Sequence, residues 1–173
     1  FSISCETILD NMDKCVENKR TLVPEDGVIF PATKVEIYEG ESVFDVLQRV
    51  CRENKIHMES SWTPVYNSVY VEGIQNLYEF DVGEGSGWMY AVNGWYPNYG
   101  CSRYSLQDGD VVIVPTYDEL VKITGKVKRP MFYEMKNGES AATLLKYAGG
   151  FASDAYKKSI RVLRKDGKEF SVK

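Results

Sequence analysis

The residues best suited to chemistry lie between positions 85 and 110, where aromatic side chains alternate with turn-forming residues. Aromatic rings on a rigid loop present large apolar faces with polar edges, and they do so at low entropic cost. Amide side chains beside them can hydrogen-bond the polar groups of a ligand. We therefore predict a ligand-binding surface here, and its candidate residues are Trp88, Tyr90, Asn93, Trp95, Tyr96, Asn98 and Tyr99.

A β-hairpin is predicted to position these residues. Asn93-Gly94 is typical of a two-residue type I′ turn, which needs positive φ at both central residues. Before the turn, alternation leaves two interpretations open, in which Trp88, Tyr90 and Val92 either point into the core or contribute to the surface. After the turn, Pro97 and Gly100 make burial harder, which favours a ligand surface for Trp95, Tyr96 and Tyr99.

The sequence offers few residues that could act as catalytic groups. Ser-His-Asp and Cys-His mechanisms need a base held close to the nucleophile. The chain has one histidine, His57, and its position between Ile56 and Met58 predicts a surface-facing strand residue. The pair Asp108 and Asp110 is explained by a turn at Gly109. We predict a protein that is not an enzyme and has neither a metal site nor a resident cofactor.

The composition of the chain limits the classes of partner that it can bind. The 173 residues are 43% hydrophobic and 27% charged, with a net charge of -4, which argues against nucleic acid. No apolar run approaches the roughly 18 residues of a membrane span, so none is predicted. A basic cluster near the C-terminus is interrupted by Asp166 and Glu169 and predicts a solvated strand pair; its members are Lys157, Lys158, Arg161, Arg164, Lys165 and Lys168.

An internal repeat predicts the architecture. The sequence from Gly40 to Leu47 is echoed from Gly138 to Leu145, and each copy follows a predicted strand, at 35–38 and 132–135. Each copy then opens a helix with a serine at its N-cap, Ser42 or Ser140.

The helices themselves are marked by their apolar spacing and their ends. The first has a buried face predicted at Val43, Val46, Leu47, Val50 and Cys51, and the second ends at Gly149-Gly150. Strand, capped helix and return strand, seen twice, predict an α+β protein of two tandem β-grasp units.

Two resemblances refine this layout. The run from Gly87 to Tyr104, followed by Leu106, Asp108, Gly109 and Asp110, resembles the transcobalamin C-terminal-like domain of Gram-positive surface and secreted proteins. The likeness covers about residues 2–113, including 38–47 and 78–81. It implies a β-grasp fold and a secreted or cell-envelope location. It also implies a corrinoid as one candidate ligand, because vertebrate relatives close over cobalamin; most bacterial members have no established ligand.

The second resemblance covers about residues 122–173. The segments 125–130, 133–134 and 144–151 resemble the soluble-ligand-binding β-grasp domain of polysaccharide-export proteins, although Met131 replaces the glycine usual after Pro130. The sequence given ends at Lys173, before the closing strands of such a domain. We therefore expect an incomplete second unit whose open edge contacts the first domain or mediates self-association.

The four cysteines are Cys5, Cys15, Cys51 and Cys101, and their spacing does not fit a Cys-x-x-Cys motif. They could form two disulfides in three pairings, or remain buried thiols. The resemblance to surface proteins favours at least one disulfide.

Together these observations predict domains at residues 1–116 and 122–173, joined by a short linker at 116–120. The predicted function is a non-catalytic extracellular or cell-envelope module that binds a small molecule or a glycan through the aromatic hairpin. The alternative is a structural or assembly domain whose β-edges join chains. Because the two resemblances come from different kinds of cell envelope, a recombined or engineered chimera also stays open.

Overall fold

The computed structural model describes residues 1–117, 120–130, 132–135, 138–158, 160–163 and 168–172. The chain divides into two units, one of Phe1–Leu120 with Glu134–Lys136 and one of Val121–Tyr133 with Asn137–Lys173. Helices and strands occur in both, which confirms the predicted α+β class. The tandem β-grasp arrangement is consistent with this architecture.

The first unit is built around a five-stranded sheet. Its strands and helices are β1 (Ser2–Ser4), α1 (Glu6–Leu9), β2 (Val28–Phe30), α2 (Val43–Glu53), β3 (Met58–Thr63), β4 (Ser68–Ile74), β5 (Leu77–Tyr78), β6 (Gly87–Trp88), β7 (Ala91–Val92) and β8 (Val112–Tyr117). The order is β2-β1-β8-β6, with β7 also paired to β8. Strand β1 is antiparallel to β2 and parallel to β8. A parallel pair needs a long crossover, and α2 lies within it.

Helix α2 supplies much of the core. The Ser42 hydroxyl accepts from the Asp45 N–H at 3.2 Å, and the Asp45 carboxylate accepts from the Ser42 N–H at 2.7 Å, which completes a capping box. The buried residues of the helix are the five predicted from its apolar spacing: Val43, Val46, Leu47, Val50 and Cys51. They belong to one core cluster with Ile3, Val92 and Val114 of the sheet.

A second sheet of the first unit consists of β3, β4 and β5. Gly73 lies opposite Tyr78, and a Cβ added at Gly73 would come within 2.8 Å of the Tyr78 ring, so the ring packs directly on the glycine. His57 directly precedes β3 and is half-buried, which corrects the prediction of a surface-facing strand residue. Its Nδ1 accepts from the Asn76 N–H at 3.1 Å, and its Nε2 lies 3.1 Å from the Tyr78 hydroxyl.

The predicted strand at residues 35–38 is wrong, because the structure has no strand there. Its backbone groups pair with side chains instead of a neighbouring strand. The Tyr38 N–H donates to the Glu41 carboxylate at 2.9 Å, and the Glu36 carbonyl accepts from the Arg49 guanidinium at 2.7 Å. Val35 and Ile37 pack against the core, which explains the alternating pattern without a β-ladder.

The prediction of at least one disulfide is also wrong. All four cysteines lie in the described range 1–117, and each is a buried free thiol: Cys5, Cys15, Cys51 and Cys101. They join the apolar core cluster, where a thiol packs as a small apolar side chain. Burial raises the pKa of Cys5, Cys51 and Cys101 to about 12.

The second unit is smaller. Its elements are β9 (Leu120–Lys122), β10 (Phe132–Glu134), α3 (Ala141–Tyr147), β11 (Ile160–Leu163) and β12 (Glu169–Val172), of which only Leu120 and Glu134 fall within the bounds of the first unit. Strand β9 pairs with β10, and β11 lies antiparallel to β12. Helix α3 begins as predicted, with the Ser140 hydroxyl accepting from the Thr143 N–H at 3.4 Å. It ends at Tyr147, and after the C-cap Ala148 come the two predicted glycines, Gly149 and Gly150, whose φ angles are 76° and 86°.

Two further predictions about the second unit are confirmed where the structure describes them. The predicted strand at 132–135 is β10, which covers Phe132–Glu134, and the predicted strand pair is β11 and β12. Arg161 of the basic cluster lies on this pair and bridges Glu169 at 3.3 Å, while Lys157, Lys158 and Lys168 lie outside the two strands. Of the residues named in those predictions, Met131, Arg164, Lys165 and Asp166 lie outside the described residues, as do Asp118 and Glu119 of the linker. None of the described helices is long and apolar enough to cross a membrane.

Candidate functional site

The predicted turn at Asn93-Gly94 is confirmed. The two residues have φ angles of 53° and 78°, and Val92 and Trp95 exchange both backbone hydrogen bonds at 2.8 and 3.0 Å. The Asn93 side chain donates to Asp110 at 2.9 Å and accepts from the Val111 N–H at 2.9 Å. Its amide therefore fastens the turn to the start of β8, rather than projecting free to anchor a ligand.

The aromatic residues before the turn belong to the core. Trp88 and Tyr90 are each 8% exposed and Val92 is 1% exposed, so the core interpretation of their alternation is the correct one. The Trp88 indole N–H donates to the Leu77 carbonyl at 2.8 Å. The Tyr90 hydroxyl donates to the Tyr99 carbonyl at 2.8 Å, and burial raises the pKa of Tyr90. Tyr90 therefore supports the loop that follows the turn, whereas Trp88 is fastened to β5.

After the turn, three rings meet near the surface. The Trp95 side chain is 44% exposed, and its centroid lies 6.3 Å from that of Tyr99 in an edge-to-face arrangement and 6.5 Å from that of Tyr104. Tyr99 and Tyr104 are nearly parallel, 13° apart with centroids at 6.4 Å. The Arg103 guanidinium lies 5.8 Å from the Tyr99 centroid. We call Trp95, Tyr99, Arg103 and Tyr104 the aromatic face.

The other two predicted residues flank this face in sequence. Asn98, directly before Tyr99, is exposed, whereas Tyr96 is half-buried. Tyr104 and Arg103 were not among the candidate residues. The one feature of the sequence that pointed to them was their position in the same aromatic segment. The turn of Cys101–Arg103, which brings Tyr104 back to Tyr99, has no strong local sequence motif.

A close contact with β4 fixes the loop. A Cβ added at Gly100 would lie 2.1 Å from the Ser68 hydroxyl oxygen, so only glycine allows the loop to pass this near to the strand. Two residues later, the Ser102 hydroxyl accepts from the Val69 N–H at 2.9 Å. Strand β4 thus holds the polypeptide on which Tyr99 and Tyr104 are carried.

Beneath the face lies a cavity of about 170 Å³, which we call the apolar pocket. Helix α2 and strands β4 and β8 form part of its wall, and the segment from Trp88 to Cys101, which includes the hairpin, forms the rest. The residues that line it are Val43, Leu47, Val69, Tyr70, Val71, Trp88, Met89, Tyr90, Pro97, Tyr99, Gly100, Cys101 and Val114. Tyr99 belongs to both the pocket and the aromatic face, so the two are continuous.

The pocket holds no ionised group at neutral pH. Burial raises the pKa of Cys101 to about 12, so its thiol stays protonated. Burial, together with a hydrogen bond to Glu79, also raises the pKa of Tyr70. Among the described residues, no three histidine, cysteine or carboxylate side chains come together as a metal site. The arrangement can bind a ligand, but the pocket offers it no base or thiolate.

Two family models match the chain, one on each side of the linker. Residues 40–117 match a domain of unknown function, DUF4430. Residues 120–173 match the SLBB domain. A search of curated proteins finds no match.

The two matches agree with the predicted layout of two domains, and the second agrees with the resemblance to a soluble-ligand-binding domain. Neither is a known enzyme family, which supports a non-catalytic role only indirectly. The transcobalamin-like identity of the first domain stays a prediction. The DUF4430 match includes α2, the hairpin and the whole aromatic face.

Proposed function

We propose that this chain is a non-catalytic ligand-binding module of a secreted or cell-envelope protein, and that its aromatic face binds a glycan. The observation that carries the proposal is the Trp95 ring, 44% exposed and held in place by Tyr99 and Tyr104. The match of residues 120–173 to the SLBB domain is the second support, because it gives the same chain a soluble-ligand-binding module.

The chemistry of the face suits a sugar. One side of a pyranose ring presents C–H groups that pack on an aromatic plane, while its hydroxyls point outward and need hydrogen-bond partners. Asn98 is exposed and offers both a donor and an acceptor, and the Arg103 guanidinium offers several donors. Because the rings are already packed against each other, binding orders few side chains and loses little entropy.

A corrinoid is the other ligand class that the resemblance implies. A corrin macrocycle is far larger than a pocket of about 170 Å³, so it would have to lie across the exposed face. It therefore competes for the same residues as a glycan, and a single titration separates the two ligands.

The test is tryptophan fluorescence of the whole chain, titrated with a panel of neutral and acidic oligosaccharides and, with absorbance correction, with cobalamin. The chain has three tryptophans, and Trp62 is 57% exposed outside the face, so it provides a matched control. We expect saturable binding of an oligosaccharide that Trp95→Ala weakens at least tenfold and Trp62→Ala leaves unchanged. Saturation by cobalamin alone would replace the glycan with a corrinoid, and an equal loss in both variants would remove the face from the site.

Assembly is a second candidate function, favoured by exposed apolar residues in the second unit. Tyr156 and Leu163 are each 74% exposed, and Ile160 on the same strand as Leu163 is 39% exposed. An exposed apolar strand can pair with another chain. Sedimentation measured over a range of concentrations tests this, and dimerisation that Leu163→Glu abolishes would favour assembly over ligand binding as the role of this unit.

A further inference from the structure

We infer that the apolar pocket is a subsite for one ring-sized apolar group, an aryl or branched alkyl substituent of the ligand. This deepens the proposed function and rests on it in one respect, because the group is taken to belong to the molecule that the aromatic face holds. Tyr99 contributes to both surfaces, so a single ligand can reach both.

The volume of the pocket sets the size of the group. A dry apolar cavity of about 150 Å³ is large enough to bind benzene. The pocket, at about 170 Å³, therefore accepts a single six-membered ring with a small substituent.

The walls decide the chemistry of the group. The polar atoms of two large wall residues already have protein partners, since the Trp88 indole N–H donates to Leu77 and the Tyr90 hydroxyl donates to Tyr99. Across the described residues, no buried side-chain nitrogen or oxygen lacks a hydrogen-bond partner. A sugar ring placed here would bury hydroxyls with few groups to receive them, which is unfavourable. An apolar ring has no hydroxyls that would lose their hydrogen bonds, and its burial removes apolar surface from water.

The mouth of the pocket explains how one molecule could use both surfaces. Met89 lines the pocket with a flexible, polarisable side chain that adapts to the shape of a ring. Tyr99 is half-buried at the junction, with its ring stacked on Tyr104 and in an edge-to-face arrangement with Trp95. The substituent would enter past Tyr99, and the polar remainder of the ligand would lie over Trp95.

Toluene tests the pocket on its own. The indole N–H resonance of Trp88, assigned by its loss in Trp88→Phe, reports binding in a ¹⁵N-labelled chain. Val71→Phe fills the pocket, and Val65→Phe makes the same change at a site that is 85% exposed and outside it. We expect a saturable Trp88 shift in the wild type and in Val65→Phe, and affinity at least tenfold lower in Val71→Phe. Should Val71→Phe not fold, Val69→Leu adds one methylene to the same wall and is expected to weaken binding severalfold.

Toluene that shifts Trp88 without saturation, or binds the filled and control variants equally, overturns the subsite. A pair of glycosides then separates this inference from the proposed function. A phenyl glycoside that binds at least tenfold tighter than the methyl glycoside of the same sugar supports the inference, and equal affinities overturn it. If toluene saturates the pocket but neither glycoside binds, glycan recognition fails as the proposed function while the apolar subsite stands.

Discussion

The hydroxyl of Tyr90 donates a hydrogen bond of 2.8 Å to the main-chain carbonyl of Tyr99. The first residue is 8% exposed, whereas the second carries a ring of the aromatic face. The loop that carries Tyr99 must remain accessible to a ligand. This bond connects that loop to Tyr90, which is fixed in the core. The rigidity of the aromatic face depends on this connection and on the contact between Gly100 and Ser68.

Removing this bond should affect binding as well as stability. Tyr90→Phe leaves the ring in place but leaves the Tyr99 carbonyl without its donor, and a typical hydrogen bond of this kind contributes about 1 kcal/mol. We expect urea unfolding to show a loss of about that size and titration to show weaker ligand binding. Tyr66→Phe, at a residue that is 69% exposed, is the control and should change neither quantity.

Asn93 should be important for the fold through both its backbone and its side chain. Asn93→Ala places alanine at φ 53°, where its Cβ is strained and its side chain cannot form a local hydrogen bond. The change also removes the side-chain bonds to Asp110 and Val111. Asn93→Gly removes the same bonds but tolerates the φ angle. We expect both variants to be less stable, with alanine about 1 kcal/mol worse than glycine. Equal losses in thermal or urea unfolding would show that the side-chain bonds alone matter.

Gly100 tests the close approach of the loop to β4. A Cβ added at Gly100 would lie 2.1 Å from the hydroxyl oxygen of Ser68, which is buried. Gly100→Ala must therefore displace either the loop or the strand. Such crowding usually costs about 1–3 kcal/mol. Ser68→Gly removes the atoms that collide, so the double variant should lose less stability than the sum of the two single variants. A double-mutant cycle from urea unfolding measures this coupling.

The parts of the structure that could be predicted from the sequence are those with local causes. The turn at Asn93-Gly94 follows from the φ angles of two residues, and helices α2 and α3 follow from serine caps and apolar spacing. The segment 35–38 was misjudged for a related reason. Alternation reports which side chains face the core, and Val35 and Ile37 are half-buried against it without any strand to pair with.

The candidate site could be predicted only in part, because its construction is non-local. Trp95 and Tyr99 were identified from composition, but Tyr104 joins them through an irregular turn. The pocket needs Leu47 of α2, Val71 of β4 and Val114 of β8, which are far apart in sequence and meet only in the folded core. Apolar spacing along the chain predicted the burial of Leu47, but no pattern of this kind reveals a space between residues so distant in sequence.

The buried thiols predict how stability depends on pH. The usual cysteine pKa is 9.0, and burial raises that of Cys5, Cys51 and Cys101 to about 12, so the folded state holds protons that the unfolded state releases. Stability from this source is complete below about pH 9 and falls as pH rises toward 12, by at most about 1.4 kcal/mol per pH unit for each thiol.

Urea unfolding at pH 8 and pH 10 measures this loss, and Cys51→Ala isolates one thiol. The variant leaves a small gap in α2 and should be less stable at both pH values, but its stability should fall less steeply between them. Adding a reductant should change neither curve, since the four cysteines are free thiols in the structure. A reductant that lowers the stability of the wild type would instead reveal a disulfide among Cys5, Cys15, Cys51 and Cys101, and the paired cysteines would then contribute nothing to the alkaline loss.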